Sequence, residues 1–215
     1  LNGRTCDMDA LQAIADLHGL AIVEDAAQAL GSRFKGRAAG TFGLGGAISF
    51  YPAKTLGCLG DGGCVITNDD AIYEKLILYR DHGRNDDGDV VLWAMNSRLD
   101  NIQAAILNHK LGAYNEMVDR RRAIAAMYHE SLGDIVEVRL PPGPNDDNDH
   151  FDIYQNYEIE AEQRDDLKVF LSKHGVGTLI QWGGKAVHQF TKLGFTKHLQ
   201  FADELFKRLL MLPMN

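Results

Sequence analysis

The chain has 215 residues, 45% of them hydrophobic and 24% charged, the proportions of a globular protein large enough to bury a core. Its 30 acidic residues against 22 basic ones give a formal charge of −8, which excludes the concentrated basic surface that a nucleic-acid backbone requires. No apolar run approaches the roughly 18 residues of a membrane span, and no charged-then-apolar leader opens the sequence, so a cytoplasmic protein without membrane attachment is expected.

From Asp7, "DMDALQAIADLHG" places apolar residues at 8, 11, 14 and 17 between an N-cap aspartate and a terminal glycine, which predicts an amphipathic helix. The aliphatic run "LAIVED" then reads as a buried parallel strand. "AISFY" and "CVITND" repeat that pattern, and "DDAIYEKLILYRDHG" from Asp69 predicts a second helix stopped at Gly83. Residues 84–97 read as a loop. Helical periodicity then runs through "RLDNIQAAILNHKLGAYNEMVDRRRAIAAMYHESL", with a break near Gly112. Within it Arg120, Arg121 and Arg122 read as a solvated face. The Pro- and Asp-rich stretch "LPPGPNDDND" is a surface loop, after which a second, α+β unit is expected. Its elements are an alternating strand "IYQNYEIE", a helix "RDDLKVFLSKHG", a strand "VGTLI" and a final helix "FADELFKRLLML".

Chemistry-bearing residues gather at predicted strand ends. Asp25 closes "IVED", and ligands of open parallel sheets bind beyond the carboxyl ends of strands. The plainer reading is a helix cap. Lys54 follows "AISFY" by a few residues. A lysine beside apolar and aromatic neighbours loses proton affinity by desolvation and becomes nucleophilic, whereas an ordinary loop lysine stays in water. Together, Asp25, Lys54 and the Ser49 hydroxyl suit an electron-sink cofactor such as pyridoxal phosphate, which needs an amine, a carboxylate for its pyridine nitrogen and donors for its phosphate. Gly60-Asp61-Gly62 lacks the context of a dinucleotide fingerprint. Cys6, Cys58 and Cys64 lack C-x-x-C spacing and the eight histidines lack paired ligand spacing, so no metal site is expected.

The stretch "VEDAAQALGSRFKGRAAGTFGLGGAISFYPAKTLGCLGDGGCVITND" and the block "NSRLDNIQAAIL" resemble the DegT/DnrJ/EryC1/StrS family of pyridoxal-phosphate aminotransferases, which act on nucleotide-linked keto sugars. The resemblance implies an aspartate-aminotransferase-like, fold type I α/β architecture. Residues 1–112 would form the C-terminal part of a large parallel-sheet, cofactor-binding domain, and residues 113–215 a small α+β domain that includes the connecting helix. It further implies that Asp25 pairs with the pyridine nitrogen, Gln28 lies near the ring, Ser49 binds phosphate and Lys54 forms the Schiff base. Asn96 would reach the cofactor of a neighbouring subunit in a homodimer, and Trp182 and His188 would lie near the sugar. Relatives with histidine in place of the lysine are dehydratases, so Lys54 implies transamination, with glutamate as the amino donor. Relatives also extend further on the N-terminal side, so a longer polypeptide is expected. A non-catalytic or regulatory cofactor-binding module is the alternative, and a cofactor-free Schiff-base aldolase a third reading.

Overall fold

The computed structural model describes residues 1–215. In chain order it forms α1 (Met8–His18), β1 (Val23–Asp25), β2 (Arg33–Phe34), β3 (Arg37–Ala38), β4 (Gly45–Ser49), β5 (Gly63–Ile66), α2 (Asp70–Arg80), α3 (Asn101–Leu111) and α4 (Tyr114–Leu132). Then follow β6 (Val138–Arg139), β7 (His150–Phe151), β8 (Tyr157–Ala161), α5 (Arg164–Lys173), α6 (Gln200–Arg208) and β9 (Leu209–Leu212). These elements make two compact units, one holding Gly3–Asp119 and Asn148–Ile153, the other Arg120–Asp147 and Tyr154–Asn215. No helix is long and apolar enough to cross a membrane.

Local chemistry sets the helix ends. Asp7 caps α1 by accepting from the Ala10 amide, and Gly19 stops it in the left-handed region at φ 62°. Asp69 caps α2 by accepting from the Ile72 amide. Gly112 and Ala113 separate α3 from α4, as the periodicity predicts.

In the first unit the sheet order is β1-β4-β5, and β1 runs parallel to β4 with Val23 opposite Gly45 and Asp25 opposite Ala47. The third strand corrects the expectation of an all-parallel set, because β5 is antiparallel to β4. A parallel return needs a crossover, usually helical, to carry the chain back to the sheet's other end. Residues 50–62 instead form a loop that closes on itself, the Phe50 amide donating to the Gly62 carbonyl at 2.8 Å, so the chain re-enters the sheet from the same end. Nor are these strands buried on both faces, since Val23 and Val65 are exposed. Likewise α1 buries Met8 and Ala15 while Leu11, Ile14 and Leu17 face solvent.

A second small sheet in this unit has the order β3-β2-β7, with Lys35 and Gly36 both at positive φ in the β2–β3 turn, as a two-residue turn of type I′ requires. Its outer strand, β7, lies just after the Pro- and Asp-rich loop and returns to the first unit by pairing with β2. One apolar cluster joins Leu56, Cys58, Leu107, Tyr114, Val118 and Ile153.

In the second unit β8 lies between β6 and β9, both antiparallel to it. Tyr157, Ile159 and Ala161 are buried, and the first two pack with Leu210, Leu212 and Ala125. Here three further expectations are corrected. "LLML" is the strand β9 and not the end of a helix, because β8 needs a partner and alternation buries Leu210 and Leu212. "VGTLI" contributes only an isolated bridge, Leu179 to Met211. Arg121 and Arg122 are not a solvated face: the first donates to the Tyr154 and Gln155 carbonyls at 3.1 and 3.2 Å, the second to the Pro144 carbonyl at 2.9 Å.

Candidate active site

Because β1 and β4 run in the same direction, their carboxyl ends bring Asp25 and Ser49 to one edge of the sheet. The ladder continues one step beyond β1, where the Ala26 amide donates to the Ala47 carbonyl at 3.0 Å. Asp25 Oδ1 accepts from the Ala27 amide at 3.1 Å, which orients the carboxylate at the head of the turn that carries Gln28. Ser49 Oγ accepts from the Tyr51 amide at 3.3 Å. Lys54 follows in a turn closed by its own amide, which donates to the Tyr51 carbonyl at 2.8 Å.

The electrostatics match this placement. Burial lowers the proton affinity of the Lys54 amine below the ordinary lysine value, while the nearby Asp25 carboxylate pulls the other way. Desolvation wins, so the neutral and nucleophilic form is reached at lower pH than for a free lysine.

Glu24 supports the same strand end. Its carboxylate accepts from the amides of Gly40, Phe42 and Gly43 at 2.7, 2.5 and 2.8 Å, tying β1 to the turn that feeds β4. The backbones also come close enough there that a Cβ on Gly46 would stand 2.3 Å from the Gly40 Cα, so glycine is required. Glu24 stands beside Asp25 in the sequence, but its three partners lie sixteen to nineteen residues away, so no local pattern names them.

The chain around Asn96 forms an arm with local bridges from Asp81 to Asn96 and from Arg84 to Val90. Asn96 itself is exposed. Trp182 and His188 belong to the second unit. Trp182 has φ 53° and a side chain 73% exposed, an unusual left-handed setting for an aromatic residue. His188 is buried, its Nε2 2.9 Å from Asp203 Oδ1. Gln189 Nε2 donates to the same carboxylate oxygen, and His198 Nδ1 pairs with Oδ2.

An amine of reduced basicity, a carboxylate and a hydroxyl at one sheet edge can hold a ligand that bears a carbonyl, a basic ring nitrogen and an anionic group. Pyridoxal phosphate has those three functions, and the donor set fits it.

Comparison with known proteins adds an independent line. The model of the DegT/DnrJ/EryC1/StrS aminotransferase family matches residues 1–215. The chain is 38% identical over 221 residues to a "Pleiotropic regulatory protein" of Geobacillus stearothermophilus, covering 100% of this chain and 58% of that one. It is 40% identical over 182 residues to a dTDP-3-amino-3,4,6-trideoxy-alpha-D-glucose transaminase of Streptomyces venezuelae, covering 85% of this chain and 47% of that one. The crystal structure of a DegT DnrJ EryC1 StrS aminotransferase from Brucella abortus superposes with a TM-score of 0.91 at 38% identity, covering 100% of this chain and 57% of that chain. The chain thus spans about half the length of these proteins.

Proposed function

Because the chain belongs to the DegT/DnrJ/EryC1/StrS aminotransferase family and has the fold type I architecture of its solved members, we propose that the protein transfers an amino group from an amino acid, glutamate, to a nucleotide-linked keto sugar, with pyridoxal phosphate as cofactor. The observation that carries this reading is the meeting of Asp25, Ser49 and a Lys54 of lowered basicity at one end of the β1–β4 pair.

When bound, the cofactor supplies an electron sink for the pair left behind when a proton departs from the substrate carbon. The chain's own groups do the rest. Lys54 Nζ would be the amine that holds the cofactor by its carbonyl group and, when free, the base that carries a proton at the substrate carbon. Asp25 would pair with the ring nitrogen and favour its protonated form, on which the sink depends. Ser49 Oγ would donate to the phosphate, and Gln28, on the turn after Asp25, would serve the ring. For Trp182 and His188, which belong to the second unit, only the family resemblance implies a role toward the sugar.

The active form is a homodimer with shared sites. In support, Val91, Trp93 and Met95 are all exposed on the arm that ends at Asn96, and Trp93 is 98% exposed. An aromatic so fully in water, flanked by two more apolar side chains, suits a partner surface. Asn96 would then reach the partner's cofactor.

Titration with pyridoxal phosphate tests the reading. A visible absorption band should appear on addition and be lost in Lys54→Ala, and glutamate should discharge it. A folded protein that develops no band overturns the proposal. A regulatory reading is favoured by the likeness to the Geobacillus stearothermophilus protein. It predicts the band without amino transfer to any keto-sugar nucleotide.

A further inference from the structure

We propose that α3 is the positioning element for Lys54, with Gln103 and Lys110 gripping the glycine-rich loop behind it; the inference rests on Lys54 being the cofactor-bearing amine. Residues 57–63 include four glycines, which offer no side chains by which the loop could be held. It is held from outside. The Leu59 amide donates to Gln103 Oε1 at 2.8 Å, and the Lys110 ammonium donates to the Gly57 carbonyl at 2.5 Å. Between these two contacts, Leu56 and Cys58, 5% and 1% exposed, pack in one cluster with Leu107.

Gln103, Leu107 and Lys110 are spaced by four and three residues, so all three lie on one face of α3. That face reads the loop with an acceptor, an apolar contact and a donor in turn. The loop is also tightly packed against itself. A Cβ on Gly57 would stand 2.6 Å from the Pro52 carbonyl oxygen, and one on Gly62 would stand 2.8 Å from Cys58 Sγ. On its other side the loop is tied to the sheet through Phe50, whose carbonyl accepts from the Cys58 amide and whose amide donates to Gly62. Lys54 therefore sits in a span fixed at Phe50 by β4 and at residues 57–59 by α3.

A displacement of about 1 Å at a reacting group costs on the order of 100-fold, so a clamp of this kind matters to the lysine although it acts through the loop.

The test compares Gln103→Leu, which keeps the volume but removes the acceptor, with Gln103→Glu, which keeps an acceptor oxygen for the Leu59 amide. Each full-length protein is titrated with pyridoxal phosphate well below its melting temperature, then treated with borohydride, and the fraction of chains labelled at Lys54 is read by mass spectrometry. We expect Gln103→Leu to need about tenfold more cofactor for half-maximal labelling and Gln103→Glu to stay within about threefold of the parent. Lys110→Met should weaken capture in the same direction. A Gln103→Leu protein that labels like the parent overturns the inference, as does an equal loss in Gln103→Leu and Gln103→Glu. Failure of the unsubstituted protein to label at Lys54 overturns the proposed function itself, so the two failures are distinct.

Discussion

Asp203 illustrates how a single carboxylate organises the second unit. Its hydrogen bond to His188 holds its carboxyl below the ordinary carboxylate value, aided by Gln189 and His198 and opposed by burial. A carboxyl whose folded pKa is depressed contributes stability that is complete above the unfolded value of 3.8 and is lost as pH falls through the folded value. Asp203→Asn should therefore unfold at lower urea concentration at pH 7 and show a shallower loss of stability between about pH 5 and pH 3 than the parent. Equal slopes in a pH series of urea midpoints would contradict this account. Lys54 shows the complementary case, a cation made less basic by burial although a carboxylate lies near it.

Elements in this protein are decided by their partners as much as by their own residues. β9 follows directly on α6, and its four residues "LLML" satisfy a helical pattern as readily as an alternating one. Pairing with β8 resolves the ambiguity, since only the strand seats Leu210, fully buried, against Tyr157 and Ile159. Leu210→Ala should cost about 3 kcal/mol, read as a shift in the denaturation midpoint, whereas the same change at exposed Leu199 should be nearly silent. Helices with their own caps were legible in advance: α1 begins after Asp7 and stops at Gly19, and α2 begins after Asp69. β5 was legible as a strand but not in direction, because direction depends on where the preceding loop delivers the chain.

At the scale of the whole molecule the apolar surface is extensive. Trp93, Val91 and Met95 on the arm, with Leu17 and Ile14 on α1, exceed what scattered surface residues require. If the arm forms the proposed homodimer contact, Trp93→Glu should shift the protein toward monomer by light scattering and weaken cofactor capture, since Asn96 would no longer reach its partner. A dimer undisturbed by Trp93→Glu would place the interface elsewhere.

What the amino-acid sequence determined by itself was the identity of the chemical groups and the family pattern that contains them. Asp25, Ser49 and Lys54 fall within one stretch, and their types suit a carbonyl cofactor with a phosphate, while Gln28 enters through the family resemblance. The caps and the periodicity of the helices are equally local, each set by residues within a few positions of one another. Tertiary structure alone decided what depends on distant partners: the antiparallel return of β5, the strand at β9, the carbonyl contacts of Arg121 and Arg122, the Glu24 tie to Gly40, Phe42 and Gly43, and the grip of Gln103 and Lys110 on the loop behind Lys54. The reason is physical. Each of these rests on hydrogen bonds or contacts between residues far apart in the chain, and nothing in the local pattern of either partner names the other.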